Sequence, residues 1–149
     1  MVQSVLFVCL GNICRSPTAH GVMLALAERA GLPLRIDSAG TGAWHIGNPP
    51  DRRMQAAARA QGYDLSGLRA RQFCEQDFAD FDLILGMDRS NIANMERLRP
   101  AGNDTPLRLF LPYGGGAIEE VPDPYYEGGF DGVVTMIEEA AKGLLDQLQ

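Results

Sequence analysis

No apolar run in the 149 residues approaches the ~20 needed to span a bilayer, which argues against a membrane protein. Nor is there any excess of basic charge: 13 Lys and Arg stand against 19 Asp and Glu, a formal net charge of −6. A nucleic-acid binder normally shows a basic face, so that class is disfavoured, although a local positive site for an anionic substrate is not. Cysteine is scarce and odd in number, three in all, which does not suit a secreted disulfide framework. Cys9, Cys14, Cys74, His20 and His45 lack the paired short spacings of structural zinc, so no metal is expected. The start Met1-Val2-Gln3-Ser4 lacks the basic stretch and cleavage site of a signal peptide, and a cytoplasmic location is expected. Length and an ordinary apolar fraction of 46% predict one domain over residues 1–149.

Two nucleotide-binding loops are missing as well. A Walker A loop ends in Gly-Lys-Ser/Thr, and no such ending occurs. Gly40-Thr41-Gly42 continues into Ala43-Trp44-His45, without the third glycine of a dinucleotide fingerprint.

What the chain does have is Cys9-Leu10-Gly11-Asn12-Ile13-Cys14-Arg15-Ser16, placed between the apolar run Val5–Val8 and Pro17. A cysteine and an arginine separated by five residues, with a hydroxyl next, can form a cradle for a tetrahedral oxyanion. Backbone N–H groups of residues 10–15 curl round the anion, and a following helix adds the positive end of its dipole. Arg15 grips two equatorial oxygens with its planar fork. Cys9 lies beneath as a nucleophile whose thiolate the same donors stabilise. Gly11 and Asn12 are the residue types that best tolerate left-handed backbone, and Pro17 suits the first helical position. This reads as the phosphate site of a phosphatase.

Strand and helix patterns alternate along the chain. Strands are expected at 2–8, 34–39, 81–87 and 106–111, and helices at 17–30, 50–61 and from Asp88 or Ser90 to Leu98. A last helix carries Val133, Val134, Ile137, Ala140, Ala141, Leu144, Leu145 and Leu148 on one stripe, the mark of a core-facing helix. The alternation predicts an open α/β sheet with right-handed crossovers, whose ligands collect at the carboxyl ends of the strands. The Cys9 loop leaves the first strand at such an end.

A cysteine phosphatase also needs a proton donor for the departing oxygen. Residues 112–129 form the longest stretch without periodicity, and long loops in compact domains are often functional. Within it Asp123 stands between Pro122 and Pro124 and is followed by Tyr125 and Tyr126 as aromatic walls. Taken alone, Asp-Pro is a turn signal. Paired with the cysteine loop, it is the expected acid. His20 is expected to be exposed on its helix, and Cys74 to lie in the core.

With both motifs in this order, the chain resembles the low-molecular-weight protein tyrosine phosphatases nearly end to end. The resemblance includes Asp37-Ser38-Ala39-Gly40-Thr41, Ala70-Arg71-Gln72 and Met87-Asp88. It implies a four-stranded parallel sheet flanked by helices and no cofactor. Cys9, Arg15 and Asp123 would be catalytic. The substrate would be held by Leu10, Gly11, Asn12, Ile13, Cys14 and Ser16, with Trp44, Tyr125 and Tyr126 lining the cleft. By resemblance Ser16 bonds the Cys9 sulfur, Asn12 holds the loop's shape, and Cys14 can form a protective disulfide with Cys9. Implied partners are phosphotyrosine proteins and, by analogy, a tyrosine kinase, with a monomer or weak dimer as the assembly.

The chain departs from the pattern at Leu68, where many members carry a histidine that braces the nucleophile loop, and at His20, where an acidic residue is common. Arsenate reductases resemble it in the loop, but their relay needs two further cysteines and only Cys74 lies outside the loop. Protein-arginine phosphatases resemble it too, but typically carry threonine in place of Ile13 and lack the tyrosine pair. A phosphate-binding module without turnover is the rival outside enzymes.

Overall fold

A computed structural model describes all residues 1–149. Four parallel strands make the sheet: β1 (Ser4–Cys9), β2 (Arg35–Gly40), β3 (Leu83–Gly86) and β4 (Leu107–Leu109), in the order β2-β1-β3-β4. The first strand is therefore central, buried on both faces, and its continuous apolar sequence follows from that. Register runs from Ser4 opposite Arg35 to Cys9 opposite Gly40 on one side, and from Val5 opposite Leu83 to Val8 opposite Gly86 on the other. Because side chains alternate, Val5, Phe7 and Cys9 face one layer while Leu6 and Val8 face the other.

The first layer is the larger, and it holds α1 (Arg15–Arg29), α2 (Arg52–Ala60) and α6 (Phe130–Leu148). On α6, Val133, Val134, Ile137, Ala140, Ala141 and Leu144 are buried, while Leu145 and Leu148 pack at its margin. The second layer holds α3 (Asp77–Asp80) and α4 (Arg89–Glu96) over Leu6, Val8 and Ile84. A single 3₁₀ turn (Leu111–Gly114) and the short α5 (Pro124–Glu127) interrupt the expected long loop. No helix is long and apolar enough to cross a membrane.

Expected elements are all present, with ends moved by one or two residues. Helix α1 begins at Arg15, so Pro17 occupies its third position, not its first; any first-turn position spares an N–H that has no intrahelical partner. Asp88, not Ser90, caps α4, and Asn91 answers it in a capping box. Gly31 and Gly62 stop their helices with left-handed φ of 68° and 96°. Four-residue α3 carries no readable period and was absent from the sequence expectation.

Candidate active site

Cys9 ends β1 at the carboxyl edge of the sheet, where the neighbours of the central strand diverge. The loop then turns through Asn12, whose φ of 56° is the only positive value at a non-glycine residue. Asn12 tolerates that conformation because its short amide is held at both ends. Nδ2 donates to Ser16 Oγ at 2.8 Å, and Oδ1 accepts the Arg71 backbone N–H at 3.0 Å. Its own N–H donates to Cys9 Sγ at 3.3 Å, and Ser16 Oγ lies 3.0 Å from the same sulfur.

Gly11 does not take a left-handed conformation, contrary to the sequence expectation; it matters for space, since a Cβ there would meet the His45 ring at 3.0 Å. The chain after β2 closes the loop from behind. Thr41 and Gly42 donate to the Cys9 and Leu10 carbonyls, each at 2.9 Å. Gly40 has to be glycine, because a Cβ would stand 2.8 Å from the Leu10 carbonyl oxygen.

Leu68, where the resemblance leads to a histidine in many members, is packed against the core. Asn12 is nonetheless satisfied, through the Arg71 N–H. That segment is fixed in turn by the Arg71 side chain, which bonds Asp37 at 3.0 Å and both oxygens of Asp77. His20 is buried, not exposed, with Nδ1 2.9 Å from Ser38 Oγ. Burial lowers its pKa below the ordinary 6.5; nearby Asp37 opposes the shift and Arg71 adds to it. Cys74 is exposed, not core: Phe73 and Phe78 fill the adjoining interior, stacked edge to face.

Arg15 is 3% exposed. Its Nη1 donates to Asp88 Oδ2 at 2.7 Å and to the Val121 carbonyl at 3.0 Å, and Nη2 stands 3.5 Å from Asp123 Oδ2. Burial alone would lower the guanidinium's pKa, but Cys9, Asp88 and Asp123 outweigh it and the net shift is upward. Burial pushes the Cys14 thiol well above its ordinary value, and the charges of Asp51, Cys9 and Asp123 push the same way.

A cleft of about 320 Å³ opens above Cys9. Its walls include every expected site residue except Asn12 and Ser16, which sit behind the loop and shape it. Tyr125 and Tyr126 meet edge to face with centroids 5.0 Å apart, and Trp44, 72% exposed, stands at the rim. Asp123 Oδ1 accepts the Tyr125 N–H at 3.1 Å, so the aspartate caps α5 while its other oxygen faces Arg15. His45, which sequence reasoning left unassigned, also lines the cleft, its ring 6.3 Å from that of Tyr125. Asp88 was legible as a helix cap but not as the partner of Arg15, 73 residues away.

A parallel α/β sheet with a closed cysteine–arginine loop at its central strand, faced by an Asp-Pro loop, defines a class. Residues 4–149 match the family described as low molecular weight phosphotyrosine protein phosphatase, a hydrolase family, and the chain belongs to it. It is 44% identical over 149 residues to the low molecular weight protein-tyrosine-phosphatase YfkJ of Bacillus subtilis, covering 98% of this chain and 96% of that protein. The crystal structure of YfkJ matches this fold with a TM-score of 0.94 at 43% identity, covering 100% and 96% of the two chains. A putative low molecular weight protein-tyrosine-phosphatase of Synechocystis is 47% identical over 152 residues, with 98% and 96% covered. The structure of a Drosophila arginine phosphatase also matches, with a TM-score of 0.92 at 32% identity, covering 100% and 98%.

Proposed function

We propose that the chain is one phosphatase domain that hydrolyses phosphotyrosine in proteins through a phosphocysteine on Cys9. The observation that carries this reading is the convergence of Cys9, Arg15 and Asp123 on one cleft with aromatic walls. The Cys9 thiolate attacks phosphorus in line, the S–P bond forms, and the P–O bond to the ring breaks as Asp123 delivers its proton to the phenolic oxygen. Water then attacks the phosphocysteine while Asp123 takes its proton. The S–P bond breaks, freeing phosphate and the thiolate. Asp88 and the Val121 carbonyl occupy Arg15 Nη1, which leaves the Nε–Nη2 edge for two equatorial oxygens. No side chain caps α1, so its leading N–H groups are left to the anion as well.

Tyrosine is favoured over serine because Cys9, 3% exposed, lies at the bottom of the cleft, within reach of a long aryl side chain. The fold does not separate tyrosine from arginine phosphatases. Ile13 on the loop and the tyrosine pair support an aryl phosphate. The test is phosphate release, in EDTA and reductant, from phosphotyrosyl, phosphoarginyl and phosphoseryl peptides, with Cys9→Ser as control. Fast phosphotyrosine turnover that vanishes in the control is expected. Preference for phosphoarginine, or comparable turnover of phosphoserine, would overturn the substrate assignment. No turnover at all would leave a phosphate-binding module.

The enzyme is also redox-sensitive. Peroxide oxidises Cys9 to a sulfenic acid, and Cys14 displaces water from it to form a disulfide that thiols reduce. Cys14→Ser should turn reversible peroxide inactivation irreversible; equal recovery of both proteins would sink the idea. A free-thiol nucleophile fits a reducing, cytoplasmic setting. Phosphotyrosine proteins, a cognate tyrosine kinase and a monomer or weak dimer complete the assignment.

A further inference from the structure

The segment bearing Asp123 is stitched to the junction of β3 and α4 by consecutive residues. The Val121 N–H donates to the Met87 carbonyl at 2.9 Å, and the Val121 carbonyl accepts Arg15, which Asp88 holds at 2.7 Å. The next residue of the junction, Arg89, donates its backbone N–H to Glu120 Oε2 at 2.7 Å. Its side chain meets Glu119 and lies 3.7 Å from Glu120.

These two glutamates are not equivalent. Glu119 pairs only with a side chain that is 61% exposed, an interaction that water and salt screen. Glu120, itself 44% exposed, also accepts the first N–H of an eight-residue helix, a donor without an intrahelical partner, at the positive end of the dipole. Three residues on lies Asp123, with Pro122 and Pro124 stiffening the chain on either side of it. With Val121 anchored through both backbone groups and Glu120 through the Arg89 N–H, consecutive residues fix the chain where it enters Pro122-Asp123-Pro124.

We infer that Glu120 is a positioning residue for proton donation: through the Arg89 N–H it sets where Asp123 stands relative to the leaving oxygen. This inference rests on the proposed role of Asp123 as the acid. Leaving phenol departs as the phosphocysteine forms, so kcat/KM senses how much protonation it needs. A misplaced acid should penalise phenyl phosphate, whose phenol leaves poorly, and spare dinitrophenyl phosphate, whose phenol leaves unaided.

The experiment compares kcat/KM across a series of aryl phosphates from phenyl to dinitrophenyl. Asp123→Ala serves as the reference for complete loss of the acid. For Glu120→Ala the expected loss is about tenfold on phenyl phosphate and under about twofold on dinitrophenyl phosphate, a fraction of what a general acid supplies. Glu120→Gln keeps an acceptor oxygen and should recover most of it. Arg89→Pro removes the N–H donor at a first helical position where proline is well tolerated, and Asp88 before it is already extended, with φ −148° and ψ 173°. It should reproduce Glu120→Ala, whereas Arg89→Ala, which keeps the N–H, should match the parent. Partial unfolding lowers all substrates equally and cancels in their ratio. A steep Asp123→Ala series beside an unchanged slope in Glu120→Ala and Arg89→Pro overturns this inference alone. An unchanged slope in Asp123→Ala overturns the acid assignment as well.

Discussion

The two sides of the cleft are built differently. Around Cys9 the loop is largely buried and tied from several sides: Asn12, Ser16 and the 39–42 and 71–72 segments are joined by hydrogen bonds. Opposite it, the Asp123 side chain is 24% exposed, Tyr126 is 73% exposed, and the segment is held at Val121 and Glu120. The phosphate end of a substrate is always the same tetrahedron and rewards a rigid mould. The other end is a protein of variable shape, and a surface loop can accept it. Arg15 belongs to both sides.

Arg15→Lys should therefore break the comparison most severely. Lysine cannot present a planar fork to phosphate while also holding Asp88 and the Val121 carbonyl, so kcat/KM on phosphotyrosyl peptides should fall by about 10²-fold or more. Steady-state kinetics checks this, and a loss below about threefold would mean that Arg15 serves neither side. Asn12 sharpens the comparison from within the rigid side. Asn12→Ala and Asn12→Gly lose the same hydrogen bonds, but only alanine is strained at a φ of 56°. Asn12→Ala should be the less stable of the two by about 1 kcal/mol in urea unfolding; equal midpoints would show that the loop relaxes. The smallest effect concerns His20. Its folded-state pKa is lowered, so the folded protein prefers the neutral ring. The stability this gives is complete above pH about 6.5, the ordinary histidine value, and is lost as pH falls below it toward the lowered folded pKa. In melts recorded across that range, the parent should lose stability faster on acidification than His20→Gln. Parallel curves would mean that the ring is not held neutral.

Local features survived the passage from sequence to structure, and long-range ones did not. The apolar run of the central strand, the cysteine loop and the stripe of α6 each declare themselves within a few turns of chain. The stretch without periodicity around Asp123 marked its loop for the same reason. The pairing of Arg15 with Asp88 has no such signature, because it depends on two strand ends meeting across the centre of the sheet. His20 was misjudged because a polar residue on a helix usually faces water, whereas here Ser38 supplies a buried partner. Cys74 was misjudged because a cysteine is often buried, but its neighbours Phe73 and Phe78 take the available interior. Leu68 was legible as a departure. The bond that holds Asn12, from the Arg71 N–H, was not, since a backbone donor leaves no trace in residue type.

The strand order also governs when the Cys9 thiol acquires its surroundings. Cys9 precedes in the chain every group that closes its loop, those at Gly40, Thr41 and Arg71, and the facing Asp123 comes later still. Pairing a central parallel strand with partners so distant along the chain is slow compared with helix formation. In a refolding experiment helical signal should therefore precede activity, and until the strands pair Cys9 lacks the donors that its loop supplies.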